Sequence, residues 1–142
     1  MENTALTHAY PVERGAFDTA GTASSRIKGI LKKLGIAPTT IRDVAIAAYE
    51  AELNLVIHSL GGTLTIEIFP DTIILTSSDI GPGIANLSLA LKEGYSTAPA
   101  SVRDMGFGAG MGLPNIRRHC HDFHIESTLG QGTTIQATYH LS

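Results

Sequence analysis

Three polar side chains recur at one-turn spacing near the middle of the chain. Glu50, Asn54 and His58 follow one another at intervals of four residues, which places them on one face of a helix. The apolar residues Ile46 and Ile57 border this face, so the polar groups lie close to apolar surface. A carboxylate and an amide one turn apart can polarise a hydroxyl group and hold a hard cation. The same spacing also suits an ordinary polar helix edge, and these residues alone leave both interpretations open.

A short glycine-containing segment, DIGPGI at residues 79–84, follows a predicted strand. The two glycines Gly81 and Gly83 would let the backbone come close to a flat ligand. The carboxylate of Asp79 could accept a hydrogen bond from an exocyclic amine. A plain turn after an edge strand is the alternative.

A second glycine-rich segment, GFGAGMGLP at residues 106–114, is the strongest signal in the sequence. Its alternate glycines expose backbone N–H groups, and Pro114 suits the first turn of a following helix, where anions bind well. No Gly-Lys-Ser/Thr follows, as a Walker loop requires, and the spacing does not fit the dinucleotide motif G-x-G-x-x-G. A flexible glycine hinge is the alternative.

The apolar pattern predicts the elements that must position these segments. We expect a strand over 10–17, helices over 20–34 and 38–59, a hairpin of strands 63–69 and 72–78, a helix over 114–121, and closing strands 122–127 and 133–139. The long segment between the hairpin and the last helix, with a short helix near 87–92, has the length of a functional lid. This order predicts a two-layer α/β (α+β) sandwich, with a mixed, mostly antiparallel sheet and helices on one face.

Composition limits the class of protein. With 142 residues, 43% hydrophobic and 16% charged, the chain suits one domain over 10–142 after a flexible tail over 1–9. The net charge of −3, with no basic cluster larger than a pair, argues against nucleic-acid binding. The single cysteine, Cys120, cannot form an internal disulfide, and no apolar run is long enough for a membrane span. We therefore expect a soluble cytoplasmic protein.

Four motifs, taken in order, resemble those of the GHKL superfamily of ATPases and kinases, which includes DNA gyrase and the histidine kinases. They are Glu50-x-x-x-Asn54 (N box), Asp79-x-Gly81-x-Gly83 (G1 box), Gly108-x-Gly110-x-Gly112 (G2 box) and Gly130-x-Gly132-Thr133 (terminal Gly-Thr). Residues 93–97 (EGYST) and 112–114 (GLP) are similar to the anti-sigma-factor and switch-protein serine kinases of bacterial partner-switching systems. The resemblance covers about residues 10–140 and implies the Bergerat, or histidine-kinase-like, ATPase fold.

The resemblance implies ATP and Mg²⁺ as cofactors and assigns roles to the motif residues. Asn54 would coordinate Mg²⁺, Glu50 would take the proton from the substrate hydroxyl, and Asp79 would bind the adenine amino group, with Thr133 supporting it through water. The remaining cofactor-binding residues would line the base pocket (Gly81 and Gly83) or surround the phosphates (Gly108, Gly110, Gly112 and, next to them, Leu113).

Two functions fit this site. The first is a serine/threonine protein kinase and anti-sigma-type regulator that phosphorylates a small antagonist protein, with a sigma factor or another regulator as a further partner and a homodimer as one assembly. The second is a nucleotide-dependent protein-binding switch without phosphoryl transfer. The intact Glu50 favours the kinase, since a pure binding module needs no base at this position.

Two features remain unassigned by the motifs. Arg103 lies in a polar insert of the lid, where it could contact the γ-phosphate, the partner or solvent. The cluster of His119, Cys120, His121 and His124 is rich in metal-capable side chains. Because neighbouring residues on a helix point in different directions, the sequence favours a solvated helix end over a metal site.

Overall fold

The computed structural model of the chain describes residues 6–81 and 112–141. Its elements, in chain order, are β1 (Leu6–Val12), a 3-10 turn (Phe17–Thr19), α1 (Thr22–Lys33), α2 (Pro38–His58), β2 (Gly62–Ile68), β3 (Thr72–Asp79), α3 (Gly112–Arg118), β4 (Asp122–Thr128) and β5 (Gly132–His140). The five strands form one sheet in the order β1-β2-β3-β5-β4. Each of the four strand pairings described is antiparallel.

The sheet buries one face and leaves the other accessible. In β2 the alternate residues Leu64, Ile66 and Ile68 are buried, and the residues between them are only partly covered. In β3 the buried set includes Ile73 and Leu75. This period of two is what a sheet covered on one side requires. The predicted two-layer α/β sandwich is confirmed, and its described strands are antiparallel rather than mixed.

Helix α2 covers the buried face of the sheet. Proline at its first position fits a helix start, and small residues along one side let the helix lie close to the strands. Val44, Ala47 and Ala48 are fully buried, and Ala51 and Leu55 nearly so. Because this apolar side is fixed against the sheet, the polar residues of α2 must face the neighbouring helices and solvent.

The predicted bounds of the first strand were wrong. The strand runs over Leu6–Val12 instead of 10–17, because its residues pair with β2 in register from Leu6 opposite Ile68 to Val12 opposite Gly62. Polar residues such as Thr7 and His8 mask the alternation, so only the pairing reveals the strand. The chain then turns at Gly15, whose φ is +73°.

The other predicted helices and strands that fall in the described part of the chain begin and end within three residues of their expected bounds. In α1, Ile27 and Leu31 are fully buried, but Leu34 is 47% exposed because the helix ends at Lys33 and Leu34 is its C-cap. The short helix predicted near 87–92 lies outside the described residues. No helix in the described ranges is both long enough and apolar enough to cross a membrane.

A buried carboxylate that the sequence did not reveal joins α1 to α2. Glu52 is only 3% exposed, and its two oxygens accept hydrogen bonds from the backbone N–H groups of Ala23 and Ser24 at 3.2 and 3.0 Å. The first turn of a helix always carries N–H groups without partners in the helix, and Gly21 before it has no side chain to cap them. Glu52 supplies that cap from a different helix.

We expect Glu52→Ala to lower the free energy of unfolding by about 1–3 kcal/mol, because two buried N–H groups lose their acceptor. Urea denaturation of the purified chain measures this loss. Glu67→Ala, which removes a carboxylate from the accessible face of β2, is the matched control and should cost no more than about 0.5 kcal/mol. Equal losses in the two variants would show that the hydrogen bonds from Ala23 and Ser24 to Glu52 do not stabilise the fold.

Candidate functional site

The polar stripe of α2 meets α3. Glu50 and Asn54 are both half-buried on the same face of α2, as their spacing predicts. Helix α3 packs against α2, with its apolar residues Leu113 and Ile116 in the core. From α3, the side-chain amide of Asn115 donates a hydrogen bond to Oε2 of Glu50 at 2.7 Å. Asn115 is a site residue that no motif indicated.

Two residues that follow Asn115 contact its oxygen atoms, and one of them, Arg118, orients its side-chain amide. Its side-chain oxygen accepts a hydrogen bond from Arg118 at 3.4 Å, so the amide nitrogen must face Glu50. Its backbone carbonyl lies 2.7 Å from Nδ1 of His119, and since a carbonyl can only accept, that nitrogen carries the proton. The amide is thus held in one orientation, with its donor towards the carboxylate.

Glu50 and Asn54 each keep a side-chain oxygen that no described residue binds. Within the described residues, Oε1 of Glu50 and the side-chain amide of Asn54 have no hydrogen-bond partner. A carboxylate held through one oxygen can accept a proton on the other, provided that a hydroxyl group approaches within hydrogen-bond distance. The side-chain oxygen of Asn54, one turn further along α2, is a hard ligand of the type that Mg²⁺ accepts.

A second cluster lies where β3 ends. Oδ1 of Asp79 accepts a hydrogen bond from the backbone N–H of Thr133 at 2.9 Å, and the N–H of Gly81 donates to the carbonyl of Gln131 at 3.2 Å. The hydroxyl of Thr133 lies 2.9 Å from that of Ser127. The end of β3 is therefore joined directly to the turn between β4 and β5. Thr133 contacts Asp79 through its backbone N–H, and its predicted support of adenine binding through water stays a prediction.

Two glycines make room for this junction. Gly132 has a φ of +148°, and a Cβ atom there would overlap the backbone carbonyl of Asp79. A Cβ atom on Gly62 would lie 2.6 Å from the carbonyl of Ser78 and 2.7 Å from the side chain of Leu55. Neither position tolerates a larger residue, so both glycines are required for the neighbouring strands to pack this closely against the end of β3.

Burial raises the pKa of Asp79, and the hydrogen bond from Thr133 opposes this only in part. The ionised carboxylate is thus held where water solvates it poorly. Within the described residues its second oxygen, Oδ2, accepts no hydrogen bond. A partly desolvated acceptor without a full set of partners is typical of a binding site.

The structure brings the predicted site residues into two groups. Glu50 and Asn54 lie together on α2, which packs against α3, the helix that carries Leu113. Asp79, Gly81 and Thr133 lie together at the end of β3. Gly112 begins α3. The remaining predicted residues lie outside the described part of the chain: Gly83, Gly108, Gly110, Arg103 and the side chain of His58.

The histidine-rich segment spreads over the surface around β4. The ring of His121 lies 5.3 Å from that of His140, and His124 pairs with Glu126 at 3.1 Å. Among residues 6–81 and 112–141, no three His, Cys, Asp or Glu side chains stand where they could hold a metal ion.

The five-stranded antiparallel sheet covered by α2 is the architecture of the GHKL ATPase fold. The family model of histidine kinase-, DNA gyrase B- and HSP90-like ATPases matches residues 40–142. This match runs from α2 to β5 and so includes the elements that carry Glu50, Asp79 and Thr133. The chain belongs to this family, and the resemblance to the GHKL superfamily is confirmed.

The relatives that the chain resembles include a serine/threonine-protein kinase and anti-sigma F factors. The chain is 28% identical to the serine/threonine-protein kinase RsbT of Bacillus subtilis over 114 residues, which cover 78% of this chain and 80% of the relative. It is 29% identical to the anti-sigma F factor of Bacillus licheniformis over 108 residues (72% and 70%). It is also 29% identical to the anti-sigma F factor of a Thermoanaerobacter species over 106 residues (71% of each chain).

The raised pKa of Asp79 predicts how Asp79→Asn changes stability with pH. The folded state holds a proton on this carboxyl more tightly than the unfolded chain does. The stability contribution is therefore complete below about pH 4 and is lost as the pH rises through the folded-state pKa. Asparagine keeps an acceptor for the N–H of Thr133 and carries no charge. In the absence of nucleotide, the melting temperature of Asp79→Asn relative to wild type should be higher at pH 7 than at pH 4.

Thermal unfolding followed by circular dichroism at the two pH values measures this difference. The matched control is Asp71→Asn, in the turn between β2 and β3, where the carboxylate accepts a hydrogen bond from the hydroxyl of Thr72. Between pH 4 and pH 7, Asp79→Asn should gain more in melting temperature relative to wild type than Asp71→Asn does. If the melting temperature of Asp79→Asn relative to wild type fell between pH 4 and pH 7, the raised pKa of Asp79 would be contradicted.

Proposed function

We propose that this chain is an ATP- and Mg²⁺-dependent serine/threonine protein kinase and anti-sigma-type regulator that phosphorylates a small antagonist-type partner protein. The observation that carries the proposal is the carboxylate of Glu50, held by Asn115 at 2.7 Å and placed one turn before Asn54. Membership of the ATPase family and the similarity to a serine/threonine-protein kinase and to anti-sigma F factors support it.

In this proposal the adenine ring binds at the end of β3. The amino group of the base would donate a hydrogen bond to Asp79, whose position is set by the N–H of Thr133. The bare backbone of Gly81, with Gly83 after it, would lie against the ring. Gly108, Gly110, Gly112 and Leu113 are proposed for the phosphate end, on the strength of the motif resemblance.

The metal-binding part of the proposal rests on Asn54. Mg²⁺ takes oxygen ligands, commonly one or two from the protein with the rest from phosphates and water, so a single amide oxygen on an accessible helix face fits. Bound Mg·ATP would supply the γ-phosphoryl group and neutralise the charge that builds up on it during transfer.

The chain's own residues would then handle the proton. A serine or threonine hydroxyl of the partner would give its proton to Oε1 of Glu50 as its oxygen bonds to the γ-phosphorus and the bond to ADP breaks. Asn115 would keep the carboxylate in place through Oε2. Holding the reacting groups in the correct geometry provides much of the rate in such reactions.

The hydrogen bond between Glu50 and Asn115 also supports a second function, that of a switch without phosphoryl transfer. A hydrogen bond between Glu50 and Asn115 also serves to join α2 to α3, whether or not any proton is transferred. The chain would then be a nucleotide-dependent switch that binds and releases a partner without phosphoryl transfer. Binding to a sigma factor or another regulator, and assembly as a homodimer, are compatible with both functions.

Removal of the carboxylate distinguishes the two functions. Glu50→Gln keeps an oxygen that can accept the hydrogen bond from Asn115 but cannot take up a proton. We expect it to bind ATP with unchanged affinity and to transfer phosphate at least about a hundredfold more slowly, since general base catalysis typically contributes about 10²–10⁴ in rate. Transfer of ³²P from ATP to the antagonist protein purified from the native host measures the rate, and calorimetry measures the affinity.

Glu67→Gln, on the other face of the sheet, is the matched control and should transfer phosphate at the wild-type rate. Equal rates for Glu50→Gln and wild type would exclude Glu50 as the base. A wild-type chain that binds the antagonist and ATP but transfers nothing would make the kinase proposal wrong and favour the switch.

A further inference from the structure

A groove runs between α1 and α2 and reaches Glu50. Its volume is about 720 Å³, and its described lining combines an apolar floor with positively charged side chains. The apolar floor consists of Ile36, Pro38, Ile41, Ala45, Ile46 and Tyr49. The charged lining residues are Lys28 and Lys32 from α1 and Arg42 from α2, with Glu50 as the one carboxylate among the lining residues that the structure describes.

The charge of this groove opposes that of the chain. The protein has a net charge of −3, but the described lining carries three cations and one carboxylate. Lys28, Lys32 and Arg42 are all exposed, and none of them forms an ion pair within residues 6–81 and 112–141. Among the described residues, these cations therefore have no carboxylate partner.

Helix electrostatics explains only part of this pattern. Lys32 lies in the last turn of α1, where the helix dipole favours a cation. Arg42 lies early in α2, close to the end where the dipole disfavours a cation, and Lys28 lies in the middle of α1. An external acidic group accounts for all three positions.

The floor of the groove supplies a second kind of contact. Tyr49 is 40% exposed beside Glu50, and Ile36 and Ile46 are only half-buried. Tyrosine and arginine are typical anchors at protein interfaces, and the two isoleucines add apolar surface beside them. A free phosphate or nucleotide would neutralise the cations and leave this floor uncovered. A segment with both acidic and apolar side chains would satisfy both.

We propose that the groove docks an acidic segment of the partner protein that also carries apolar side chains, and that it leads the partner's hydroxyl to Glu50. The second half of this statement rests on the proposed kinase function. The docking itself does not, since it needs neither ATP nor phosphoryl transfer and can be measured without them.

The probe is a fluorescein-labelled peptide in which glutamates alternate with leucines, and fluorescence anisotropy without nucleotide gives its affinity. Two charges are reversed together in Lys28→Glu/Arg42→Glu, and we expect the peptide to bind this variant about tenfold or more weakly than wild type. Lys33→Glu makes the same kind of change on α1 outside the described lining and should alter the affinity by less than about twofold. Peptides with lysine in place of glutamate, or serine in place of leucine, should bind wild type poorly.

Three results would overturn the docking proposal. The first is equal affinity for the glutamate and lysine peptides, and the second is equal affinity of the double variant and wild type. The third is a double variant that loses self-association in sedimentation without losing peptide affinity, which would show that a second copy of this chain covers the groove.

The kinase proposal fails by a different result. If wild type binds the glutamate–leucine peptide more tightly than the double variant does, and binds the antagonist protein without transferring phosphate to it, the docking groove stands and the kinase does not. If phosphate transfer proceeds and the double variant changes neither the peptide affinity nor the KM for the antagonist, the kinase stands and the groove does not.

Discussion

The burial of one side of α2 against the sheet is the constraint on which the site depends. Small and branched residues from Val44 to Leu55 fix the rotation of this helix about its axis. A helix turns by about 100° per residue, so the buried side of α2 also sets the direction in which each of its remaining side chains points. Glu50 meets α3, Glu52 meets the start of α1, and Tyr49 faces the groove. A change in the packing of α2 would displace all three together.

The position of Asp79 lowers the stability of the protein when no ligand is bound. Asp79 is held in a poorly solvated position at the end of β3, and a single backbone N–H compensates it only in part. Gly62 and Gly132 allow this close packing at the cost of greater freedom in the unfolded chain. Such costs are common at binding sites, where a ligand supplies the interactions that the free protein lacks. We therefore expect that Asp79→Asn raises the stability of the nucleotide-free protein at pH 7 and lowers its affinity for nucleotide.

The sequence predicted those parts of the structure whose cause is local. The long apolar stripe of α2 and the alternation in β2 and β3 gave the correct elements, and the motifs indicated Glu50, Asn54 and Asp79. Glu52 and Asn115 could not be found in this way. Their contacts join residues 28 and 65 positions apart, and neither residue stands in a pattern that distinguishes it from an ordinary polar helix residue. The start of β1 was missed for the same reason, since its pairing with β2 is long-range.

We propose that Glu50 is a proton acceptor that Asn115 holds in place, and Asn115→Ala tests this proposal most directly. The measurement is the single-turnover rate of phosphoryl transfer together with the affinity for ADP, with Arg117→Ala, an exposed change on the same helix, as the control. We expect the rate to fall about tenfold with the ADP affinity unchanged, because the carboxylate loses its fixed geometry and the nucleotide contacts remain. A rate equal to that of wild type, with ADP bound equally well, would show that the hydrogen bond only joins two helices and would contradict the account.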